Sequence, residues 1–195
     1  MRVRQATAED VPSLVALFQE LDRMQADWRV FTPRPGFYDE VGAKYREALG
    51  DPDAVLLVAE DEDGEVVGMA YGEARTPSRF SDERALELSG VVVRAGYRGR
   101  GVGRELVHEA GRFAADRGVR WVELKTFAPN RGAMEFWEGL VFTTRVVQLT
   151  SPTKTLLERL EGRWRRRCGV FGNEPGPRLV RMDVMNASAC PRRVR

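Results

Sequence analysis

Histidine and cysteine are scarce in this chain of 195 residues, which contains one histidine and two cysteines. These residues, His108, Cys168 and Cys190, can neither fill a tetrahedral Cys/His zinc site nor form a disulfide framework. A Ser-His-Asp or Cys-His mechanism would have to use His108, which lies on the polar face of a predicted helix. We therefore expect His108 to be a solvated surface residue, and we expect no zinc site of the Cys/His type.

Long apolar runs are also absent. The longest, such as Ala54–Ala59, contain about six residues, whereas a membrane-spanning helix needs about 18 to 20. The opening segment MRVRQATAED is polar and lacks the apolar core of a signal peptide. We expect no membrane interaction and a cytoplasmic location.

The residues that are present describe a folded domain with an uneven charge. The chain is 43% hydrophobic and 31% charged, which is enough apolar surface for a core. Residues 1–150 carry 20 basic and 25 acidic side chains (−5), and residues 151–195 carry 11 and 4 (+7). We assign residues 1–150 to one domain and residues 151–195 to a basic C-terminal extension.

The extension has two predicted elements. Thr153–Arg167 has the pattern of a basic amphipathic helix, and Pro177–Val184 is either a closing strand or part of a disordered tail. A solvated basic helix is favoured over a nucleic-acid-binding surface. No nucleic-acid partner is therefore expected.

Hydrophobic periodicity in residues 1–150 predicts alternating strands and helices in the order β-α-α-β-β-β-α-β-α-β. The acidic turn Asp61–Gly64 joins two strands as an antiparallel hairpin. The pattern predicts an α/β fold of the α+β type, with a mixed, mostly antiparallel central sheet and helices on both faces. The predicted strands are Val3–Ala6, Ala54–Glu60, Glu65–Ala74, Ala85–Val93, Val119–Phe127 and Phe142–Leu149, and the predicted helices contain Val11–Leu21, Asp39–Leu49, Leu106–Ala114 and Asn130–Leu140.

A glycine-rich turn, Arg98–Gly103 (RGRGVG), lies between a predicted strand and a predicted helix. Backbone N–H groups in such a turn can surround a phosphate, and Arg98 and Arg100 add positive charge. The sequence Gly-x-x-x-x-Gly-Lys-Ser/Thr is absent and the glycine spacing is not Gly-x-Gly-x-x-Gly, which disfavours a P-loop and a dinucleotide-binding fold. A turn that only needs glycine would leave the arginines unexplained, so we expect a diphosphate ligand.

This turn resembles the acyl-CoA signature of the GNAT superfamily of N-acetyltransferases. Val93–Gly103 (VRAGYRGRGVG) matches the core Arg/Gln-x-x-Gly-x-Gly/Ala after a Val-x-x-x-Tyr lead-in. Asn130–Phe142 is similar to the later motif of the family, in which an alanine follows the asparagine by three positions and an aromatic pair comes next. In element order, the resemblance covers residues 3–149.

The resemblance implies that the acyl donor is acetyl-CoA and that a primary amine attacks its thioester directly, in a ternary complex. This chemistry needs no metal ion. Pantetheine would lie between two splayed parallel strands, residues 86–93 and 120–127, and the pyrophosphate would lie on the amides of residues 98–103. A backbone N–H group near Val91–Val93 would stabilise the oxyanion. The implied cofactor-binding residues are Val91, Val92, Val93, Arg98, Gly99, Arg100, Gly101, Val102, Gly103, Asn130 and Trp137.

A protonated amine cannot attack, so a base or a water relay is needed. Glu87 is the expected catalytic base, because some GNAT members use a glutamate at a similar distance before the signature and because burial raises the pKa of a carboxyl group. Strict alternation would place it on one face of its strand with Ser89, Val91 and Val93. The alternatives are that Glu87 is only ion-paired, that Glu73 is the base, or that a water held by backbone carbonyls removes the proton.

The sequence departs from the GNAT pattern at two positions. Trp137 occupies the place of a tyrosine that protonates the leaving thiolate in many members, and an indole cannot supply that proton. Val141 replaces the usual glycine before Phe142, so we expect a different turn there. The missing proton donor motivates an alternative function, a non-catalytic acyl-CoA-binding or sensor module.

The acceptor is expected to be a small-molecule amine or a protein amino group. Its specificity would come from the loop at residues 76–84 and from a second loop with four aromatic residues, Trp28, Phe31, Phe37 and Tyr38. The alternative is that these aromatic side chains only pack the loop. A homodimer is an open alternative to a monomer.

Overall fold

A computed structural model describes residues 1–29, 31–76 and 82–167. The chain divides into two compact units, residues 1–143 and residues 144–195. The strands of the first unit are β1 (Arg2–Gln5), β2 (Ala54–Glu60), β3 (Val66–Arg75), β4 (Ala85–Val93) and β5 (Trp121–Leu124), and its helices are α1 (Val11–Met24), α2 (Phe37–Ala48), α3 (Val102–Asp116) and α4 (Arg131–Glu138). Short 3-10 helices cover Ala8–Asp10 and Ala95–Tyr97.

The five strands form one sheet in the order β1-β2-β3-β4-β5. Neighbouring strands from β1 to β4 are antiparallel, whereas β4 and β5 are parallel and pair from Ala85 opposite Trp121 to Leu88 opposite Leu124. The predicted mixed, mostly antiparallel sheet is therefore confirmed.

Helices cover both faces of the sheet, as predicted. On one face, α3 buries residues such as Leu106 and Ala110 in a cluster that we call the α3 core. On the other face, α1 and α2 contribute Leu14, Leu17 and Tyr45 to a second cluster, the α1–α2 core. Side chains of β2 alternate between the two cores, which explains why Ala54–Ala59 is apolar without interruption.

Strand β4 contains a β-bulge. Gly72 of β3 pairs with Leu88 and the preceding Tyr71 pairs with Gly90, so Ser89 is an extra residue without a partner. A Cβ atom on Gly72 would lie 3.0 Å from the Leu88 side chain and 3.1 Å from a β4 carbonyl oxygen. Glycine at position 72 therefore allows β3 to approach the bulged strand closely.

The bulge shows that the strict alternation expected for β4 is wrong. Leu86 and Leu88 before the bulge, and Val91 and Val93 after it, all pack on the α3 core. Glu87 consequently lies on the opposite face from Val91 and Val93, because one extra residue reverses the facing of every residue that follows it.

Two predicted strands differ from the structure. β5 covers four residues rather than the whole of Val119–Phe127. Phe142–Leu149 forms no strand, and within residues 82–167 no strand follows β5. Its β-branched residues favour a strand, but a strand needs a paired neighbour, and Val146 and Leu149 are 84% and 88% exposed.

The second unit contains helix α5, Thr153–Arg167, with the same bounds as the expected basic helix. Its residues up to Glu161 are all exposed. The expected closing strand Pro177–Val184 lies outside the described residues. Among the helices of the described ranges, none is both long and apolar enough to cross a membrane.

A buried ion pair fixes the start of α1. The Asp10 carboxylate accepts a 2.7 Å hydrogen bond from Arg4 Nη1 and a 2.7 Å bond from the Thr7 backbone N–H. Arg4 also donates to Glu60 from Nε at 2.8 Å, so one guanidinium joins β1, β2 and the beginning of α1. The hydrogen bond from Arg4 is the largest influence that lowers the pKa of Asp10 to about 2.

This lowered pKa predicts loss of stability in acid. Asp10 releases its proton more readily in the folded chain than in the unfolded chain, so its contribution is complete above about pH 4 and disappears as the pH falls towards 2. Its size is about 2 kcal/mol, because one pKa unit corresponds to about 1.4 kcal/mol. Urea unfolding from pH 2 to 6 should show the wild type converging with Asp10→Asn at low pH. A constant offset for Asp10→Asn would contradict this.

Candidate functional site

The parallel pairing of β4 and β5 ends early and leaves one side of β4 open. The last pair is Leu88 opposite Leu124, yet β4 continues through Val93 with β3 on its other side. In the described residues no strand pairs with this side of Ser89–Val93. Its main-chain polar groups therefore resemble those of a sheet edge, which can pair with an extended ligand.

The glycine turn after β4 adopts a conformation that glycine favours. Gly99 and Gly101 have φ values of +74° and +86°. A Cβ atom on either would meet nothing within 4 Å, so glycine is required by the backbone conformation and not by crowding. Gly101 directly precedes Val102, the first residue of α3, where backbone N–H groups lack intrahelical partners and favour an anion.

Gly103 has a different role from the other two glycines. A Cβ atom there would lie 3.3 Å from Cζ of Phe136 on α4. Glycine at this position therefore lets α3 and α4 approach each other. The sequence pattern predicted phosphate binding for Gly99, Gly101 and Gly103 alike and did not indicate that Gly103 is needed for helix packing.

The two arginines of the turn point to different partners. Arg98 donates from Nε to the Val93 carbonyl oxygen at 2.8 Å, and its Nη2 lies 3.8 Å from the Glu20 carboxylate on α1. Arg100 is exposed, with its guanidinium 5.4 Å from the centre of the Tyr97 ring. Arg98 is also exposed, but its guanidinium already contacts protein oxygen atoms, whereas the contact of Arg100 is with an aromatic ring.

Glu87 is half-buried and paired with two cations. Its carboxylate lies 3.1 Å from Arg75 Nε and 3.0 Å from Lys125 Nζ. Sequence reasoning did not identify either cation. The sheet register explains why these cations reach Glu87. Glu73 and Glu123 are the cross-strand partners of Glu87 on its two sides. Arg75 comes two positions after Glu73 and Lys125 two positions after Glu123, so both cations lie on the same face as Glu87.

Glu73, the alternative base, is surrounded by groups that stabilise its charge. Burial acts to raise the pKa of Glu73, but a hydrogen bond from Tyr71 and the charges of Lys44 and Arg75 outweigh it and lower that pKa. Lys44 Nζ and Arg75 Nη2 lie 3.4 and 2.8 Å from the Glu73 carboxylate. A carboxylate with a lowered pKa is a weak proton acceptor, which disfavours Glu73 as the base.

Asn130 and Trp137 have structural partners at the two ends of α4. The Asn130 side chain caps the helix by accepting a 3.2 Å hydrogen bond from the Ala133 N–H. The Trp137 ring lies edge-on to Phe136 and Phe142, with ring centres 4.8 and 5.1 Å apart. Trp137 therefore joins the end of α4 to the residues that follow.

The end of α4 keeps a left-handed residue although glycine is missing. Val141 has φ +64°. The Phe142 N–H donates a hydrogen bond to the Trp137 carbonyl oxygen at 3.1 Å, and the Val141 N–H donates to the Glu138 carbonyl oxygen at 3.0 Å. These two bonds define a Schellman motif with Val141 at the position that glycine usually occupies. Val141 thus takes the left-handed conformation that glycine favours, at the expense of backbone strain.

The aromatic loop is attached to α1. Tyr38 donates a 2.7 Å hydrogen bond to Asp22, and the Phe37 ring lies against Phe18 at 6.1 Å between ring centres. Phe37 and Tyr38, the first two residues of α2, therefore pack against α1, whereas Phe31 is 81% exposed. In the other expected acceptor loop, residues 77–81 lie outside the described residues.

His108 is 62% exposed on α3, with Nδ1 3.3 Å from the Glu109 carboxylate. Its side chain does not enter either core cluster. The prediction of a surface histidine is confirmed.

Comparison with known sequences gives one family match. The model of the acetyltransferase (GNAT) family matches residues 18–140. The chain is 35% identical over 107 residues to the mycothiol acetyltransferase of Amycolatopsis mediterranei, an alignment that covers 54% of this chain and 35% of that protein. The chain thus spans about a third of the length of this curated relative.

Comparison with solved structures establishes the fold. A tetramutant of a Bacillus halodurans protein has a TM-score of 0.67 at 19% identity, covering 78% of this chain and 99% of that one. The glucosamine-6-phosphate N-acetyltransferase of Arabidopsis thaliana has a TM-score of 0.57 at 18% identity, covering 78% and 97%.

The strained end of α4 gives a stability prediction with a matched control. Helix α3 ends in the same motif, with Gly118 at φ +66° and open space for 4 Å around the position that its Cβ would take. Val141→Gly should raise the free energy of unfolding by about 1 kcal/mol, and Gly118→Val should lower it by about as much, because a left-handed conformation costs non-glycine residues about 1–2 kcal/mol. Urea unfolding measures both, and a Val141→Gly variant no more stable than the wild type would contradict the strain.

Proposed function

Because this chain belongs to the acetyltransferase (GNAT) family, we propose that it transfers an acetyl group from acetyl-CoA to a primary amine in a ternary complex. One observation carries this proposal: the open side of β4 from Ser89 to Val93 leads directly into the left-handed glycine turn and the start of α3. An extended arm and a diphosphate can therefore be bound by consecutive parts of one segment.

The residues present fit such a donor. In the proposed complex, the pantetheine arm pairs with the main chain at Val91–Val93, and the amides of residues 98–103 receive the pyrophosphate. Arg100 supplies a guanidinium, and Arg98 can join it by leaving Glu20, which is 3.8 Å away in this structure. Val102 takes part through its N–H group only, because its side chain is buried in the α3 core.

Asn130 and Trp137 complete the proposed donor site from α4. Trp137 is partly buried against the α3 core, and packing along the pantetheine arm is the contact we assign to it. We assign the side-chain amide nitrogen of Asn130 to a contact with acetyl-CoA, because the side-chain oxygen caps the helix. These assignments extend the donor site from the end of β4 to α4.

The transfer itself needs few side chains. The amine nitrogen forms a bond to the thioester carbon, the carbon–sulfur bond breaks, and the amine proton passes to Glu87. A backbone N–H group near Val91–Val93 stabilises the negative oxygen. Trp137 cannot protonate the sulfur, but a thiol with a pKa near 8.5 can leave as a thiolate and take its proton from water.

The acceptor is a small-molecule amine or a protein amino group. Its proposed path runs along the α1–α2 face of the sheet, where Glu87 lies and where α1 holds the aromatic loop through Tyr38. The name of the similar glucosamine-6-phosphate N-acetyltransferase indicates an amino-sugar acceptor for that protein. Amino sugars are therefore the first amines to test.

The donor site is tested by adding a negative charge beside the proposed pyrophosphate. Gly101→Asp should weaken CoA binding at least about tenfold, because the carboxylate repels the diphosphate and the left-handed backbone strains any side chain. Gly111→Asp adds the same charge near the other end of α3 and should leave the affinity unchanged. Isothermal calorimetry measures both, and an unchanged affinity for Gly101→Asp would overturn the donor site.

The base is tested by comparing two glutamates of one register pair. Glu87→Gln should lower kcat about 100-fold, in the range typical of general base catalysis, with CoA affinity retained. Glu73→Gln has the same loss of charge and should change kcat far less. If Glu73→Gln has the larger effect, or if neither variant slows turnover, Glu87 is not the base. CoA binding without turnover on any amine would instead support the sensor alternative.

A further inference from the structure

The turn between β2 and β3 is closed by one carboxylate. Asp61 Oδ1 accepts hydrogen bonds from the backbone N–H groups of Asp63 and Glu65 at 3.0 and 2.9 Å. Gly64 has φ +82°, which completes the turn. The orientation of the Asp61 carboxylate is therefore fixed by its own loop.

The second oxygen of the same carboxylate contacts a distant segment. Asp61 Oδ2 accepts a 2.6 Å hydrogen bond from the Tyr97 hydroxyl, 36 residues further along the chain. Tyr97 is the last residue of the 3-10 helix that immediately precedes the glycine turn. The bond raises the pKa of Tyr97 and lowers that of Asp61, as expected for a phenol that donates to a charged carboxylate.

The start of that 3-10 helix is tied to the same hairpin. The Arg94 N–H donates to the Val67 carbonyl oxygen at 2.8 Å, and Arg94 Nη1 lies 3.2 Å from the Glu65 carboxylate. Both ends of the segment Arg94–Tyr97 are thus attached to the β2–β3 hairpin. The glycine turn starts from a fixed point.

The same tyrosine also contacts the exposed arginine of the turn. The Arg100 guanidinium lies 5.4 Å from the centre of the Tyr97 ring, within the range of a cation–π contact. We propose that Asp61 and Tyr97 are positioning residues for the donor diphosphate, because they hold the glycine turn and Arg100 in place before the diphosphate binds. This inference rests on the proposed function and assigns a role in the donor site to the β2–β3 turn.

The expected benefit is preorganisation. Gly99 and Gly101 have no side chains, and the space that a Cβ atom would occupy is open, so packing does not fix the turn at these residues. Its geometry depends on α3 at one end and, at the other end, on Tyr97 and on the contacts of Arg98 with Val93 and Glu20. A turn that is already ordered loses less conformational entropy when it binds an anion, and its affinity is correspondingly higher.

The decisive variant is Tyr97→Phe, which removes the hydroxyl and keeps the ring near Arg100. Its Kd for CoA should rise about fivefold in calorimetry, since hydrogen bonds to charged groups contribute measurably to ordering. With acetyl-CoA and an accepted amine, KM for acetyl-CoA should rise while kcat stays unchanged. A purely structural role would lower stability without this separation of KM from kcat.

Tyr38→Phe is the matched control, because the Tyr38 hydroxyl donates a hydrogen bond of 2.7 Å to Asp22 of α1. It removes a similar tyrosine–carboxylate bond and should leave the Kd for CoA at the wild-type value. Equal weakening of CoA binding by both variants would assign the effect to general destabilisation and overturn the inference.

Asp61→Asn gives an independent measurement. It retains an oxygen for the turn but replaces the carboxylate that accepts from Tyr97, so the Kd for CoA should rise in the same direction. The double variant Asp61→Asn/Tyr97→Phe should bind CoA no more weakly than the single variant with the higher Kd, because both changes remove the same Tyr97–Asp61 hydrogen bond. Wild-type affinity in Tyr97→Phe and Asp61→Asn would refute the positioning role, whereas a wild type that does not bind CoA would refute the proposed function itself.

Discussion

Strand β4 is buried on both faces, and the proposed donor site also needs one of its edges to be free. A fully paired parallel neighbour would occupy the main-chain groups of Val91–Val93, and no extended ligand could reach them. The structure meets both requirements by ending the ladder with β5 at Leu88 and placing a bulge at Ser89. Bulges interrupt a ladder locally and bend the strand without removing it from the sheet. The open edge depends on this interruption, and so does the position of Val91 and Val93 on the face opposite to Glu87.

The regular register before the bulge determines the electrostatics of the α1–α2 face. Because the ladder with β5 stays regular up to Leu88, the glutamates of β3, β4 and β5 are direct cross-strand partners. Like charges opposite each other destabilise a sheet. Arg75 and Lys125 compensate by bridging the row, and Arg75 contacts both Glu73 and Glu87. A proton accepted by Glu87 would therefore change the interactions of its whole group, and substitutions of these cations would alter more than one carboxylate.

The sequence was sufficient for the features that depend on local pattern. Period-two and period-3.6 patterns gave the order of elements through α4, and the spacing of Gly99 and Gly101 located the turn. Features that depend on tertiary contacts were not predictable. A single extra residue such as Ser89 leaves no trace in an apolar strand, so the predicted facing of Val91 and Val93 was reversed. Phe142–Leu149 has β-branched residues, but pairing depends on a partner that a local pattern does not specify. Within the candidate site, Glu87 was proposed from its distance before the signature, whereas Arg75 and Lys125 could only be connected with it through the sheet register.

The two departures from the GNAT pattern, Trp137 and Val141, meet in one motif. In a Schellman motif, the residue after the left-handed position packs against the side chain of the third residue from the helix end. Here that contact joins Phe142 to Trp137, and the indole offers a larger apolar surface than the tyrosine it replaces. The strain at Val141 is local, and this stack opposes it. The two positions that depart from the family pattern are thus physically related, since the Trp137–Phe142 contact packs on the turn in which Val141 is left-handed.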